Sequence, residues 1–198
     1  MTHRAPPVPP LAVDALRRTV AGSTAYPADP AYGPLLVDHA RTCTCAPAVV
    51  VVPSTEAAVG AAVDVARAHG LVVCGPAPHA EPSMLVLTHA LDRVEVDAHA
   101  RVATAGPGAT WAAVTAAAAL SGLVAVPSSD PTATVAEAVA AGTAEPHGAR
   151  VVRADGYAHL VTSPASAPDD IGAWVVTALL LPLHPSARPA HLTERTTS

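Results

Sequence analysis

The run Ala48-Val49-Val50-Val51-Val52, closed by Pro53, constrains the fold more than any other stretch of this chain. A continuous, largely β-branched run of this length suits a strand buried on both faces, and the proline stops it. Pro53-Ser54-Thr55-Glu56 then opens a helix. Ser54 or Thr55 can cap its free amides, and Glu56 stands where the helix dipole favours a carboxylate. Val59, Ala62, Val63 and Ala66 recur at helical spacing, Gly70 ends the helix, and Leu71 to Cys74 reads as a second strand. Strand, helix and strand in this order predict a βαβ unit with parallel strands.

The rest of the chain alternates less regularly. A short helix is expected from Asp14 to Val20, then a turn-rich lead-in from Gly22 to Pro34. Met84 to Leu87 and Leu91 to Val96 read as short strands. Arg101 to Ala105 is another, stopped by Gly106-Pro107-Gly108. A helix starts at Thr110 and runs through Trp111, Val114 and Ala118 to Gly122. Leu123 to Val126 suits a strand and Thr134 to Ala141 a short helix. Ala149 to Val152 and Ala158 to Thr162 suit a hairpin about Asp155-Gly156, and Trp174 to Leu183 a closing strand. The chain is thus expected to be α+β, with a small βαβ subdomain at about 14–89 packed against a second, mixed α+β subdomain at about 90–185. The flanking stretches 1–13 and 186–198 have no apolar periodicity and are expected to be disordered tails.

Composition narrows the function. With 198 residues, 51% of them hydrophobic, the chain is long enough to bury a core. Eleven cationic residues, all arginine, face sixteen acidic ones, which excludes a phosphate-backbone binder, so no nucleic acid is expected. The longest apolar run, Trp174 to Leu183, falls short of the roughly 18 residues that span a bilayer, so no membrane is expected. Met1 to Pro10 carries a proline cluster where a signal peptide needs an apolar segment, and Cys43, Cys45 and Cys74 make no disulfide framework; a cytoplasmic location is expected. Cys43-Thr44-Cys45 with His39 lacks metal-site spacing, and no metal is expected. Asp169-Asp170 reads as a turn or cap, and Ser121, Ser128 and Ser129 lack a nucleophile elbow.

Several stretches, in order, resemble the PCMH-type FAD-binding domain of the vanillyl-alcohol oxidase and berberine bridge enzyme-like family. They are Tyr26-Pro27-Ala28-Asp29-Pro30-Ala31-Tyr32, the run from Ala46 to Val59, Val94-Glu95-Val96-Asp97 with Arg101, Gly106 to Trp111, Val151 to Gly156, and Gly172 to Thr177. The resemblance implies a PCMH-type fold, FAD as cofactor and kinship with FAD-dependent oxidoreductases. It also implies a cofactor-binding set of Gly75, Pro76, Ala77, His79, Gly106, Gly108, Thr134, Val135, Gly142 and Val152, with His79 as the point of a covalent link. It names no catalytic residue. For Gly106 and Gly108 a second reading stands, since a strand that must turn into a helix needs glycine anyway. His79 has one too, as a solvated histidine in a proline-rich loop. Trp111 and Trp174 are read as core.

Two departures from the family pattern bear on the flavin. The family loop after the second strand is a glycine run whose amides cradle the pyrophosphate; here it is Gly75-Pro76-Ala77-Pro78-His79-Ala80, and each proline removes a donor. The second lies between Pro127 and Gly142, where the family is glycine-rich. Here Gly142 alone of a triplet remains, and Glu137 would repel a pyrophosphate. The expected function is an FAD-binding domain protein with weakened flavin loops and without the family's substrate domain. That domain would be supplied by a homodimer mate or a full-length flavoenzyme. The alternative is a flavin-free pseudoenzyme acting as scaffold, partner subunit or small-molecule binder.

Overall fold

The protein is described from a computed structural model covering residues 10–37, 46–74, 82–126, 130–153, 156–161 and 175–186. The first half holds α1 (Pro10–Thr19), β1 (Gly22–Ala25), α2 (Tyr32–Leu36), β2 (Val49–Pro53), α3 (Glu56–Ala68), β3 (Val72–Val73) and β4 (Ser83–Val86). Its four strands run in the order β1-β2-β4-β3. β4 lies parallel to both β2 and β3, so it inserts between the two strands of the expected βαβ unit, which are parallel but not neighbours. Every residue of β2 is buried, because both faces are covered. On one face Val49 and Val51 meet Ala12 and Leu16 of α1 and Ala62 and Ala66 of α3; on the other Val50 and Leu85 meet Tyr32, Leu35 and Leu36. The expected helix starts where its signals put it: Thr55 Oγ1 accepts from the Ala58 amide at 3.1 Å, and beyond its end Gly70 adopts φ +67°.

Two local expectations shift. α1 begins at Pro10 rather than Asp14, since proline suits a first helical turn and Ala12 is buried against the sheet. Within the expected lead-in, Gly22–Ala25 forms an antiparallel edge strand on β2; its polar residues Ser23 and Thr24 stand on a sheet edge, where no apolar alternation is needed. Cys74 packs beside Tyr32, and burial pushes its thiol above the ordinary value, which suits an inert thiol.

The second half holds β5 (Val94–Asp97), β6 (Val102–Ala105), α4 (Trp111–Leu120), β7 (Leu123–Ala125), α5 (Val135–Ala140), β8 (Gly148–Val152), β9 (Ala158–Val161) and β10 (Val175–Pro185). The sheet order is β5-β6-β10-β8-β9, with β7 pairing the far end of β10. The hairpin expected about Gly156 is β8–β9, and Gly156 has φ +81°. α4 and α5 bury Trp111, Val114, Val135 and Ala138 against Ala103, Ala105, Leu179 and Leu181. α3 serves both halves. Ala62 and Ala66 face the first sheet, while Val59 and Val63 join Leu91, Val152 and Val175 of the second half in a separate cluster. The chain is therefore α+β, built as the βαβ subdomain packed against a mixed second one. Trp174, Asp169 and Asp170 lie outside the described residues, as do Cys43, Cys45 and His39.

Candidate functional site

Strand β6 must turn sharply into α4, and the two glycines make that possible. The Gly106 amide donates to the Arg93 carbonyl and the Gly108 amide to the Leu91 carbonyl, both at 2.9 Å. A Cβ on Gly106 would stand 2.0 Å from the Leu91 carbonyl oxygen, and one on Gly108 would stand 1.9 Å from that of His89. The approach that excludes a side chain here is to the protein's own backbone. This favours the turn reading of both residues.

The start of α5 is laced to the same turn. Val135 donates to the Ala109 carbonyl at 2.8 Å and Ala136 to that of Pro107 at 3.1 Å. In return Trp111 and Ala112 donate to the carbonyls of Ala133 and Pro131, both at 2.9 Å, around a bridge between Thr110 and Thr134. The remaining amides of the helix start are taken by a capping box. Glu137 Oε2 accepts from the Thr134 amide at 2.7 Å and from its hydroxyl at 2.9 Å, while Thr134 Oγ1 accepts from the Glu137 amide. Just upstream, Asp130 Oδ1 accepts from the Thr132 hydroxyl and amide at 2.7 and 2.8 Å.

These bonds set the charge of the site. The Thr134 amide, then its hydroxyl, hold the Glu137 carboxyl below its usual range; the Thr132 hydroxyl and amide do the same for Asp130. Both are carboxylates at neutral pH. Together they line an open depression of about 510 Å³ whose floor includes Ala138, Ala141 and Thr143. A depressed folded-state value means that the Glu137 cap is at full strength above the ordinary carboxylate range and is lost as pH falls through the folded value. Thr134→Ala is expected to cost about 1 kcal/mol and lower Tm by about 2–4 °C. Thermal melts between pH 7 and the acid limb check both effects, since the gap between wild type and Glu137→Gln should close on acidification.

The structure brings Gly106, Gly108, Thr134 and Val135 together. Gly142 lies past the opposite end of α5, with φ +69° and nothing near its Cβ position, as a helix-terminating residue. It borders a second cavity of about 400 Å³ walled by Trp111, Val126, His147 and Leu181. Trp111 is core, as read from the sequence, and its indole N–H donates to the Val126 carbonyl at 3.0 Å. Val152 is buried in the cluster with Val59 and Val63, apart from the others. Gly75, Pro76, Ala77 and His79 lie outside the described residues. Sequence reasoning missed Asp130 as a second anion, although Asp130-Pro131-Thr132 is a turn signal, and it weighed Glu137 only as a repulsive charge. The pattern Thr134-Val135-Ala136-Glu137 is a capping-box signature and could have shown that role.

This arrangement of two packed α+β subdomains is shared with several solved structures, each 19% identical or less in sequence. The BBE-like 1 protein of Physcomitrella patens superposes with a TM-score of 0.62 at 18% identity over 88% of this chain and 44% of its own. A berberine bridge enzyme variant in complex with (S)-reticuline gives 0.61 at 13% identity, over 91% of this chain and 44% of its own. The 6-hydroxy-D-nicotine oxidase of Arthrobacter nicotinovorans gives 0.53 at 19% identity, over 84% and 43%. This chain thus spans less than half the length of these proteins. No curated protein matches the sequence. The sequence model of the FAD binding domain matches residues 47–161, more than half of the chain, and the chain belongs to that family. It is an FAD-binding domain of PCMH type, related to FAD-dependent oxidoreductases, and FAD is the cofactor this membership indicates.

The diphosphate of FAD demands amide or cationic donors. Around α5 the amides of Thr132, Thr134, Val135, Ala136 and Glu137 are all committed within the protein, and two carboxylates stand beside them. The start of α5 therefore does not fit a diphosphate. Among the described residues no helix is long and apolar enough to cross a membrane, and no group of three or more His, Cys, Asp or Glu could hold a metal ion.

Proposed function

We propose that this chain is an FAD-binding domain whose hold on the flavin diphosphate is weak. The observation that carries the reading is the closed amide inventory at the start of α5: the Glu137 carboxylate takes the Thr134 amide and hydroxyl, Thr134 Oγ1 takes the Glu137 amide, and the Ala109 and Pro107 carbonyls take those of Val135 and Ala136. The prolines at 76 and 78 remove two further donors from the loop that grips the diphosphate in the family the chain resembles. A charge-assisted hydrogen bond contributes about 1.5–3 kcal/mol, so losing two weakens binding by about a hundredfold or more. In an oxidation, the chain would orient the flavin, and the surface that touches substrate would come from polypeptide beyond the matched residues, a dimer mate or a full-length flavoenzyme. A soluble, cytoplasmic protein fits this role.

The test is the visible spectrum of the purified protein followed by titration with FAD. The expected result is little or no flavin on isolation and a saturable response that requires FAD in large excess over protein. Tight stoichiometric flavin would overturn the reading. A melting temperature that ignores millimolar FAD would also overturn it, in favour of a flavin-free scaffold.

A further inference from the structure

A buried polar node joins the two halves of the molecule and borders the Gly106 turn. Thr177 is 4% exposed and stands at a β-bulge, for Val176 pairs with Val151 and Ala178 with Arg150, leaving Thr177 between them. A bulge re-aims a side chain. The Thr177 hydroxyl lies 2.7 Å from Glu56 Oε2, to which it donates, and 3.2 Å from the Arg150 carbonyl oxygen. Glu56 is the first residue of α3, in the other subdomain, and its Oε1 lies 3.5 Å from Arg150 Nη1. A cavity of about 210 Å³ opens on this node, walled also by Ser54, Thr104 and Gly106.

Behind the node runs the apolar seam of Val59, Val63, Leu91, Val152 and Val175. Apolar contact is non-directional, so the seam holds α3 against the second sheet without fixing where its first turn lies. Hydrogen bonds with preferred lengths and angles do fix it. We propose that Thr177, Glu56 and Arg150 form a clamp that sets the position of the first turn of α3 over the second sheet, and with it the width of the cavity between them. Thr177 and Glu56 are then positioning residues. This inference does not depend on flavin binding.

Hydrogen exchange of the full chain tests the clamp. Thr177→Val is expected to lower protection of the Ala58, Val59, Arg150 and Val151 amides by about tenfold, whereas Val50 and Val51 in β2 change by less than about threefold. Thr177→Ser, which keeps the hydroxyl, should stay within about threefold of wild type throughout. Glu56→Ala should reproduce the loss, and its side chain is partly exposed, so it serves if Thr177→Val does not fold. The double variant should lose no more than the larger single loss, because both variants remove the Thr177–Glu56 bond and Glu56→Ala alone already removes the Arg150 contact as well. First-turn protection unchanged in Thr177→Val, or a multiplied loss in the double variant, would overturn the proposal.

Discussion

Gly108→Ala is expected to leave the chain unable to reach its native state. The new Cβ would sit 1.9 Å from the His89 carbonyl oxygen and 2.5 Å from its carbon, and neither is the free end of a flexible side chain. Both belong to the backbone that receives the turn, so relief requires moving the β6–α4 connection. Overpacking a core costs about 1–3 kcal/mol when side chains can adjust; here the cost should exceed that range. Gly106→Ala, with its Cβ 2.0 Å from the Leu91 oxygen, should behave alike. Gly142→Ala is the control: its site is open and only its φ of +69° resists a side chain, a penalty of about 1–2 kcal/mol. Soluble yield and denaturation midpoints of the three variants decide the matter. If Gly106 and Gly108 existed to admit a cofactor, their alanine variants would fold normally and lose only flavin affinity.

Those glycines mark the boundary of what the sequence discloses. The β2–α3 unit was legible because every signal in it is local: a continuous apolar run, Pro53, the Thr55 cap and Gly70. The insertion of β4 between β2 and β3 was not, since strand order depends on pairing between residues far apart in the chain. β1 escaped because an edge strand bearing Ser23 and Thr24 shows no apolar alternation. Glu137 was visible as an awkward charge, and the structure adds why it is tolerated: Thr134 satisfies it and it satisfies Thr134. Thr177 gave no signal at all. Its role arises from a bulge, which changes where one side chain points without changing the pattern around it, and from a partner 121 positions away.

The second large effect concerns Gly75 to Ala80, which the sequence reads as a loop. Pro76→Ala with Pro78→Ala is expected to tighten FAD binding by about a hundredfold. Alanine rather than glycine isolates the cause, because it restores a backbone N–H without adding the conformational freedom of glycine. Each recovered donor to a diphosphate contributes about 1.5–3 kcal/mol, and each 1.4 kcal/mol is tenfold in Kd, so each single variant should gain about tenfold or more. Adding Glu137→Gln removes one negative charge while leaving a side-chain oxygen for the Thr134 donors. On the weak-binding reading this raises affinity further, and the increment shrinks as salt screens the charge. Fluorescence-quench titrations of the single, double and triple variants at two ionic strengths separate the contributions. Proline replacements that leave Kd unchanged would mean that this loop does not meet the diphosphate, and a salt-independent gain from Glu137→Gln would mean that repulsion by that carboxylate is not what opposes the cofactor.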